Sequence, residues 1–122
     1  MKTVLVIDND MMFQLILAEC LRKQRYFSIA AKDGYEGVQF ARSHRPDLIF
    51  CDVNLPLLDG IEVLRQVRSD VNTAAIPFFF LTLEVNLNLG LMREFGVSGF
   101  ISKEAQIQEL WQMLPWYRFG NS

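Results

Sequence analysis

LIFCDVNLPLLDG, residues 48–60, sets a carboxylate, Asp52, directly at the end of the apolar run Leu48-Ile49-Phe50-Cys51. An apolar run of this length bounded by turn residues reads as a buried strand. A charge inside such a strand is expensive, because an unpaired buried carboxylate is neutralised rather than tolerated. Asp52 therefore belongs at the strand's mouth, where it can meet solvent, a cation or a ligand. Pro56, Asp59 and Gly60 behind it read as a loop and then a new helix, with Asp59-Gly60 as its turn.

Outward from this stretch, strand and helix patterns alternate. Thr3-Val4-Leu5-Val6-Ile7 is a β-branched-rich run ending at Asp8-Asn9-Asp10. Phe13, Ile16, Leu17, Cys20 and Leu21 then recur as one helical face, with Asp10 as a cap. Phe27 to Ala31 reads as a second strand, and Asp33-Gly34 turns into a helix carrying Val38 and Ala41. Arg42, His44 and Arg45 suit that helix's negative end, and Pro46 stops it. Val63, Leu64 and Val67 mark a third helix after the strand at Leu48 to Cys51. Phe78 to Leu81, ending at Thr82, is a fourth strand, and Ser98 to Ser102 a fifth. Ile107, Leu110, Trp111 and Leu114 form a last helical face before Pro115. This alternation predicts a doubly wound α/β domain, a five-stranded parallel sheet with helices on both faces.

The bounds agree with one domain. The chain has 122 residues, 51% of them hydrophobic, and a formal net charge of -2. That is enough for a buried core, and it lacks the basic balance of a nucleic-acid binder. No apolar run is long enough to span a bilayer, and the stretch after Met1-Lys2 that stops at Asp8 is not a signal peptide. Cys20 and Cys51, without CxxC spacing, read as reduced thiols of a cytoplasmic protein.

In doubly wound sheets, ligands bind outside the carboxyl ends of the strands, at the topological switch point. Those ends carry Asp8, Asn9 and Asp10, then Asp52, Thr82 and Lys103. Carboxylates, a hydroxyl and an ammonium converge on one edge. Magnesium takes oxygen ligands, commonly one or two carboxylates with a phosphate. An ammonium neutralises phosphoryl charge, and a hydroxyl can donate to a phosphoryl oxygen. The set reads as a phosphoryl-handling site built around Asp52. Taken singly, each residue has a plainer structural role: Asp8 or Asp10 as a cap, Thr82 as a strand end, Lys103 as a solvated charge, Cys51 as a small buried residue.

VLVIDND, PDLIFCDVNLPLLDG, IPFFFLT and GFISK, in this order and spacing, resemble the receiver domains of two-component response regulators, including the chemotaxis regulators. The resemblance covers about residues 3–114, with residues 115–122 as an aromatic tail, and it implies a flavodoxin-like fold and a signalling module rather than an enzyme. It further implies that Asp52 accepts a phosphoryl group from a histidine kinase or phosphotransfer protein. Asp8, Asn9, Asp52 and the backbone carbonyl of Asn54 would hold Mg2+. Thr82 would bind a phosphoryl oxygen, Lys103 would pair with the phosphoryl group, and Phe100 stands where the family has a switch aromatic.

Three positions depart from the family pattern. Asn9 replaces a second acidic metal ligand. At an effective dielectric near ~20, a charge pair at ~4 Å is worth roughly 4 kcal/mol before desolvation, and a net loss of ~1.4 kcal/mol weakens binding about tenfold. Weak Mg2+ binding is the expectation. Leu83 follows Thr82 where a small residue is usual. Glu104 replaces the proline after Lys103, and a non-proline cis peptide there would cost ~2.5–4 kcal/mol.

These departures support a second reading, a pseudo-receiver that binds partners without phosphorylation. A third comes from the Asp-x-Asp of VLVIDND, which is similar to haloacid dehalogenase-type phosphatases, with Asp8 as nucleophile and Asp10 as acid–base. Against it, Met12 stands where that family has Thr, and DVNLPLLDG is left unexplained.

The partner surface rests on LTLEVNLNLGL, residues 81–91, which alternates like a strand where the resemblance places a loop and helix. Wound as a helix, Leu83, Val85, Leu87, Leu89 and Leu91 cannot all face inward. The expectation is a helix with exposed leucines, and a homodimer or partner contact through residues 83–91, the fifth strand and the last helix. No direct nucleic-acid or membrane contact is expected. No output domain follows in this sequence, which fits a receiver acting alone or one cut from a longer protein.

Overall fold

The computed structural model describes residues 1–82, 89–94 and 96–103. Strands and helices alternate as β1 (Thr3–Ile7), α1 (Met11–Lys23), β2 (Phe27–Ala31), α2 (Gly34–His44), β3 (Leu48–Asp52), α3 (Gly60–Ser69), β4 (Phe78–Thr82), α4 (Leu89–Glu94) and β5 (Gly99–Ser102). All strand pairs are parallel, in the order β2-β1-β3-β4-β5. Chain order reverses beside β1, so the switch point falls between β1 and β3. The predicted doubly wound sheet is the observed one.

The helix starts follow from local chemistry. Asp10, Asp33 and Asp59 cap the N-termini of α1, α2 and α3, and each side chain accepts one or two backbone N–H groups of the first turn. Such caps each contribute on the order of 1 kcal/mol. Asp59 is thus a helix cap rather than a simple turn residue.

Alternation along the strands divides the core into two layers. Leu5, Ile7, Ile49, Cys51, Phe78 and Phe80 pack under α2 and α3 with Val38, Ala41, Val63, Leu64 and Val67. Val4, Val6, Leu48, Phe50, Phe79, Leu81 and Ile101 pack on the other face with Leu17 and Leu21 of α1. Side chains of both layers are almost fully buried, which makes the sheet a rigid platform for its loops.

Two expectations are corrected. Asp52 is the last residue of β3 rather than the first beyond it: it is in register with Leu81, and the Val53 amide still reaches the Leu81 carbonyl at 3.3 Å. The ladder therefore runs one residue past the apolar run. Ile16 is 49% exposed and does not share the inward face of α1. It lies about 100° around the helix from Leu17, and the inward place is taken by Gln14 with Leu17 and Leu21.

α4 is helical over Leu89–Glu94, on the helical side of the conflict within residues 81–91. Leu83, Val85, Leu87, Glu104, the last helix and the aromatic tail lie outside the described residues, as does the partner surface expected there. Among the described residues, no helix is long and apolar enough to cross a membrane.

Candidate functional site

Three strand ends meet at one ammonium. Lys103 follows β5, and its amide donates to the Thr82 carbonyl at 2.9 Å, which fixes where its side chain departs. Its Nζ lies 2.7 Å from Asp8 Oδ2 and 3.0 Å from Asp52 Oδ2. The side chains of Lys103, Asp8 and Asp52 are 9%, 0% and 13% exposed. This is a sunken cluster with Asp52 as its most accessible carboxylate.

The two carboxylates are held alike. Asp8 Oδ1 accepts from the Asp10 amide at 2.9 Å, and Asp52 Oδ1 accepts from the Asn54 amide at 3.0 Å. Each side chain bonds the backbone two residues on, an Asx-type turn that locks its orientation. The second oxygen of each is left to face Lys103.

Two carboxylates share one ammonium, so one negative charge is uncompensated. Burial pushes the Asp8 carboxyl above its ordinary value, and the nearby Asp52 charge adds to this, against the pull of Lys103 and the Asp10 amide. Burial opposes the Lys103 ammonium too, but its bonds to Asp8 and Asp52 outweigh that and raise its pKa. Lys103 stays charged, and a further cation is favoured.

The residues fit a small hard cation. Asp8 Oδ2 is buried, ion-paired with Lys103 and without a further hydrogen-bond partner, so it has coordination to spare. Asp52 supplies a second carboxylate beside the same ammonium. Among the described residues no three His, Cys, Asp or Glu side chains group as a metal site.

The other candidate residues divide. Thr82 is buried at the end of β4, one position past the residue in register with Asp52. By strand alternation it lies on the face of Phe78 and Phe80, opposite that of Phe79 and Leu81. Phe100 is on that same face, half-buried, its ring stacked on Phe80 at 6.0 Å. The ionic cluster and the aromatic pair thus occupy opposite faces of one sheet edge, with Thr82 on the aromatic face. Asn9 and Asn54 are exposed. Asp10 is outside the cluster, its Oδ1 accepting from the Met12 and Phe13 amides at 3.1 Å. That is the capping role, and it is not the place of an acid–base partner to Asp8.

Gln14 also belongs to this site. It is buried, and its Nε2 donates to the Ala31 carbonyl at 2.7 Å and to the carbonyl of Asp8. It ties α1 to the ends of β1 and β2 directly behind the Asp8 carboxylate. Its one signal in the sequence is a polar side chain inside an apolar helical stripe.

A family model described as the response regulator receiver domain matches residues 4–115. The chain is 36% identical to hybrid signal transduction histidine kinase D of Dictyostelium discoideum over 108 residues, covering 88% of this chain and 7% of the kinase. It is also 36% identical to the alkaline phosphatase synthesis transcriptional regulatory protein PhoP of Bacillus subtilis, covering 89% of this chain and 45% of PhoP. The chain spans less than half the length of these two relatives. The receiver domain of sensor histidine kinase PA1611 from Pseudomonas aeruginosa, solved with magnesium in its active-site cleft, superposes with a TM-score of 0.87 at 25% identity, covering 99% of this chain and 98% of that one. With the fold order and the Asp8–Lys103–Asp52 cluster, these matches establish that the chain belongs to the response regulator receiver domain family of two-component signalling.

Proposed function

We propose that this receiver accepts a phosphoryl group on Asp52 from a histidine kinase or phosphotransfer protein and changes its partner-binding surface in response. The observation that carries the reading is the single ammonium shared by Asp8 Oδ2 and Asp52 Oδ2 at 2.7 and 3.0 Å. An Asp52 oxygen forms the new bond to phosphorus as the bond from phosphorus to the donor's imidazole nitrogen breaks, and that nitrogen leaves with the imidazole. The product is an acyl phosphate. Lys103, already charged beside Asp52, follows the developing charge without crossing to it from solvent. Asp8, Asp52 and the carbonyl of Asn54 would hold Mg2+, with Asn9 as a neutral neighbour that makes the hold weak. When bound, the metal supplies further neutralisation of phosphoryl charge.

Thr82 is the residue to bind a phosphoryl oxygen, and Phe100 the residue to respond. Drawing Thr82 toward Asp52 would loosen the end of β4 on the face where Phe80 and Phe100 stack. A local charge then acts on a packing element with two arrangements. This is a signalling role with at most self-catalysed phosphorylation and dephosphorylation. A cytoplasmic location suits the two free thiols.

Asn9 favours a second reading, a pseudo-receiver that binds partners unmodified. A small phosphodonor with magnesium, offered to wild type and Asp52→Asn, separates the two. Phosphorylation gives a mass gain in wild type that hydroxylamine removes, and none in the variant. No gain in wild type supports the pseudo-receiver, and a gain that survives Asp52→Asn rules Asp52 out as the acceptor.

A further inference from the structure

Lys103 is held from a third side. Its Nζ lies 5.0 Å from the centroid of the Phe13 ring. An ammonium has three N–H donors, and here two directions are taken by carboxylates. The face of an aromatic ring is the negative pole of its quadrupole and attracts a cation at this range, more strongly when the pair is shielded from water. The Lys103 side chain, 9% exposed, is so shielded.

The ring itself is fixed. Phe13 is in the first turn of α1, where its amide donates to the Asp10 cap at 3.1 Å. Its side chain is half-buried against the core layer of Val4, Val6, Leu17 and Phe50. The cap, the helix and the core together leave it little freedom beside the ammonium. Glu104 follows Lys103 where the family pattern has proline, so the chain lacks a proline to fix that side of the lysine.

We infer that Phe13 is a positioning residue for Lys103, holding its ammonium over the acceptor carboxylate. The inference rests on the receiver reading above and deepens it. A ring suits the task better than a third carboxylate. It attracts the lysine without net charge, so it neither repels an incoming phosphoryl group nor draws the lysine away from it. With Asn9 neutral, the lysine is bracketed by two carboxylates and a ring.

The test compares wild type with Phe13→Leu and Phe13→Met, which keep apolar bulk without the ring, and with Phe13→Tyr, which keeps it. Thermal melts first establish that each variant is folded. The first readout needs no phosphodonor: the ring current should displace the Lys103 ε-methylene proton resonances in wild type and Phe13→Tyr, and the displacement should vanish in the Leu and Met variants. The resonances are assigned by their loss in Lys103→Arg. The second readout is the rate of phosphorylation by acetyl phosphate as magnesium is varied. Leu and Met should lower the maximal rate about threefold to tenfold, shift the half-saturating magnesium concentration far less, and be rescued by Tyr. Wild-type rates in both the Leu and Met variants, an unchanged Lys103 resonance, or failure of Tyr to rescue would overturn the inference. A wild-type chain that takes no phosphoryl group would overturn the receiver reading and the rate effect with it, while the resonance still decides the ring contact.

Discussion

A β-carbon placed on Gly60 would stand 2.4 Å from the Asp52 carbonyl oxygen and 2.9 Å from the Val53 Cα. The first turn of α3 is packed against the backbone of Asp52 itself, and the Gly60 amide returns to the Val53 carbonyl at 3.0 Å. No flexible side-chain tip can yield here, because both crowded atoms are backbone.

Gly60→Ala should therefore destabilise the domain by about 1–3 kcal/mol or more, the usual range for overpacking. It should also displace Asp52, so phosphoryl acceptance falls further than the folded fraction does. Urea denaturation gives the first quantity, and phosphorylation under conditions where the variant is fully folded gives the second. A variant as stable as wild type would mean that the turn after β3 has more room than this packing allows.

Gln14 makes a separate prediction. Gln14→Met keeps the shape of the side chain but removes both N–H donors, leaving the buried Asp8 carbonyl without that bond. The cost should be ~1–3 kcal/mol. Because the lost bond lies behind the Asp8 carboxylate, magnesium affinity should fall as well. Equilibrium denaturation and a magnesium titration followed by intrinsic fluorescence check the two halves independently.

Asp8 and Asp52 could be read as site residues because each ends an apolar run, and strand ends in such sheets converge on one edge whatever the loops do. Asp10 could not be told from Asp8 on residue type alone, since both precede a helix. The difference is one of exposure, with Asp8 sunk behind the sheet edge and Asp10 turned to the helix N-terminus. Gln14 and the Phe13–Lys103 contact depend on how far α1 is rotated about its own axis. An apolar stripe leaves that angle loose: Phe13, Leu17, Cys20 and Leu21 of the stripe do pack inward, but Ile16 at its edge is exposed and Gln14 at the other edge is buried. The β4–α4 connection is obscured for another reason: its alternating leucines carry a strand's period in a segment that leads into a helix.

The Asp8 carboxyl has a pH signature. Its folded pKa is raised above the ordinary carboxylate value, chiefly by burial. The folded state thus holds the proton more tightly than the unfolded state does. The stability this contributes is full below the ordinary carboxylate value and is lost as pH rises through the raised folded value. In metal-free buffer, the stability difference between wild type and Asp8→Asn should therefore move against wild type as pH increases over that window. Thermal melts of the two proteins from pH 3 to pH 8 measure it, and parallel curves would show that Asp8 is not penalised by burial. Millimolar magnesium should raise the wild-type melting temperature at neutral pH and leave that of Asp8→Asn nearly unmoved.

Asn9→Asp tests the neutral position beside the cluster. A carboxylate there adds a second excess negative charge near Asp8 and Asp52, so magnesium should bind more tightly, by about tenfold for each ~1.4 kcal/mol gained. Like-charge repulsion should lower the metal-free melting temperature at the same time. An unchanged titration curve would mean that residue 9 does not face the metal.

Leu57 offers a prediction in which the usual order of two substitutions reverses. The Leu58 amide donates to the Pro56 carbonyl at 2.8 Å, closing a three-residue turn about Leu57, whose φ is 70°. A turn of this kind with positive φ at its centre is rare and strained, and a side chain in left-handed backbone costs roughly 1–2 kcal/mol. Leu57 is 80% exposed, so its side chain has little burial to offset that cost. Such strain gathers at functional loops, and this one lies between Asp52 of the ionic cluster and the Asp59 cap. At an ordinary exposed loop position alanine is more stable than glycine by ≈ 0.4–1 kcal/mol, because glycine loosens the unfolded chain. At position 57 relief of the strained φ should outweigh that entropy. Leu57→Gly should match or exceed wild type, and Leu57→Ala should fall below Leu57→Gly by up to about 1 kcal/mol. Denaturant midpoints of the three proteins decide the order, and alanine ranking above glycine would mean that the turn relaxes to negative φ in solution.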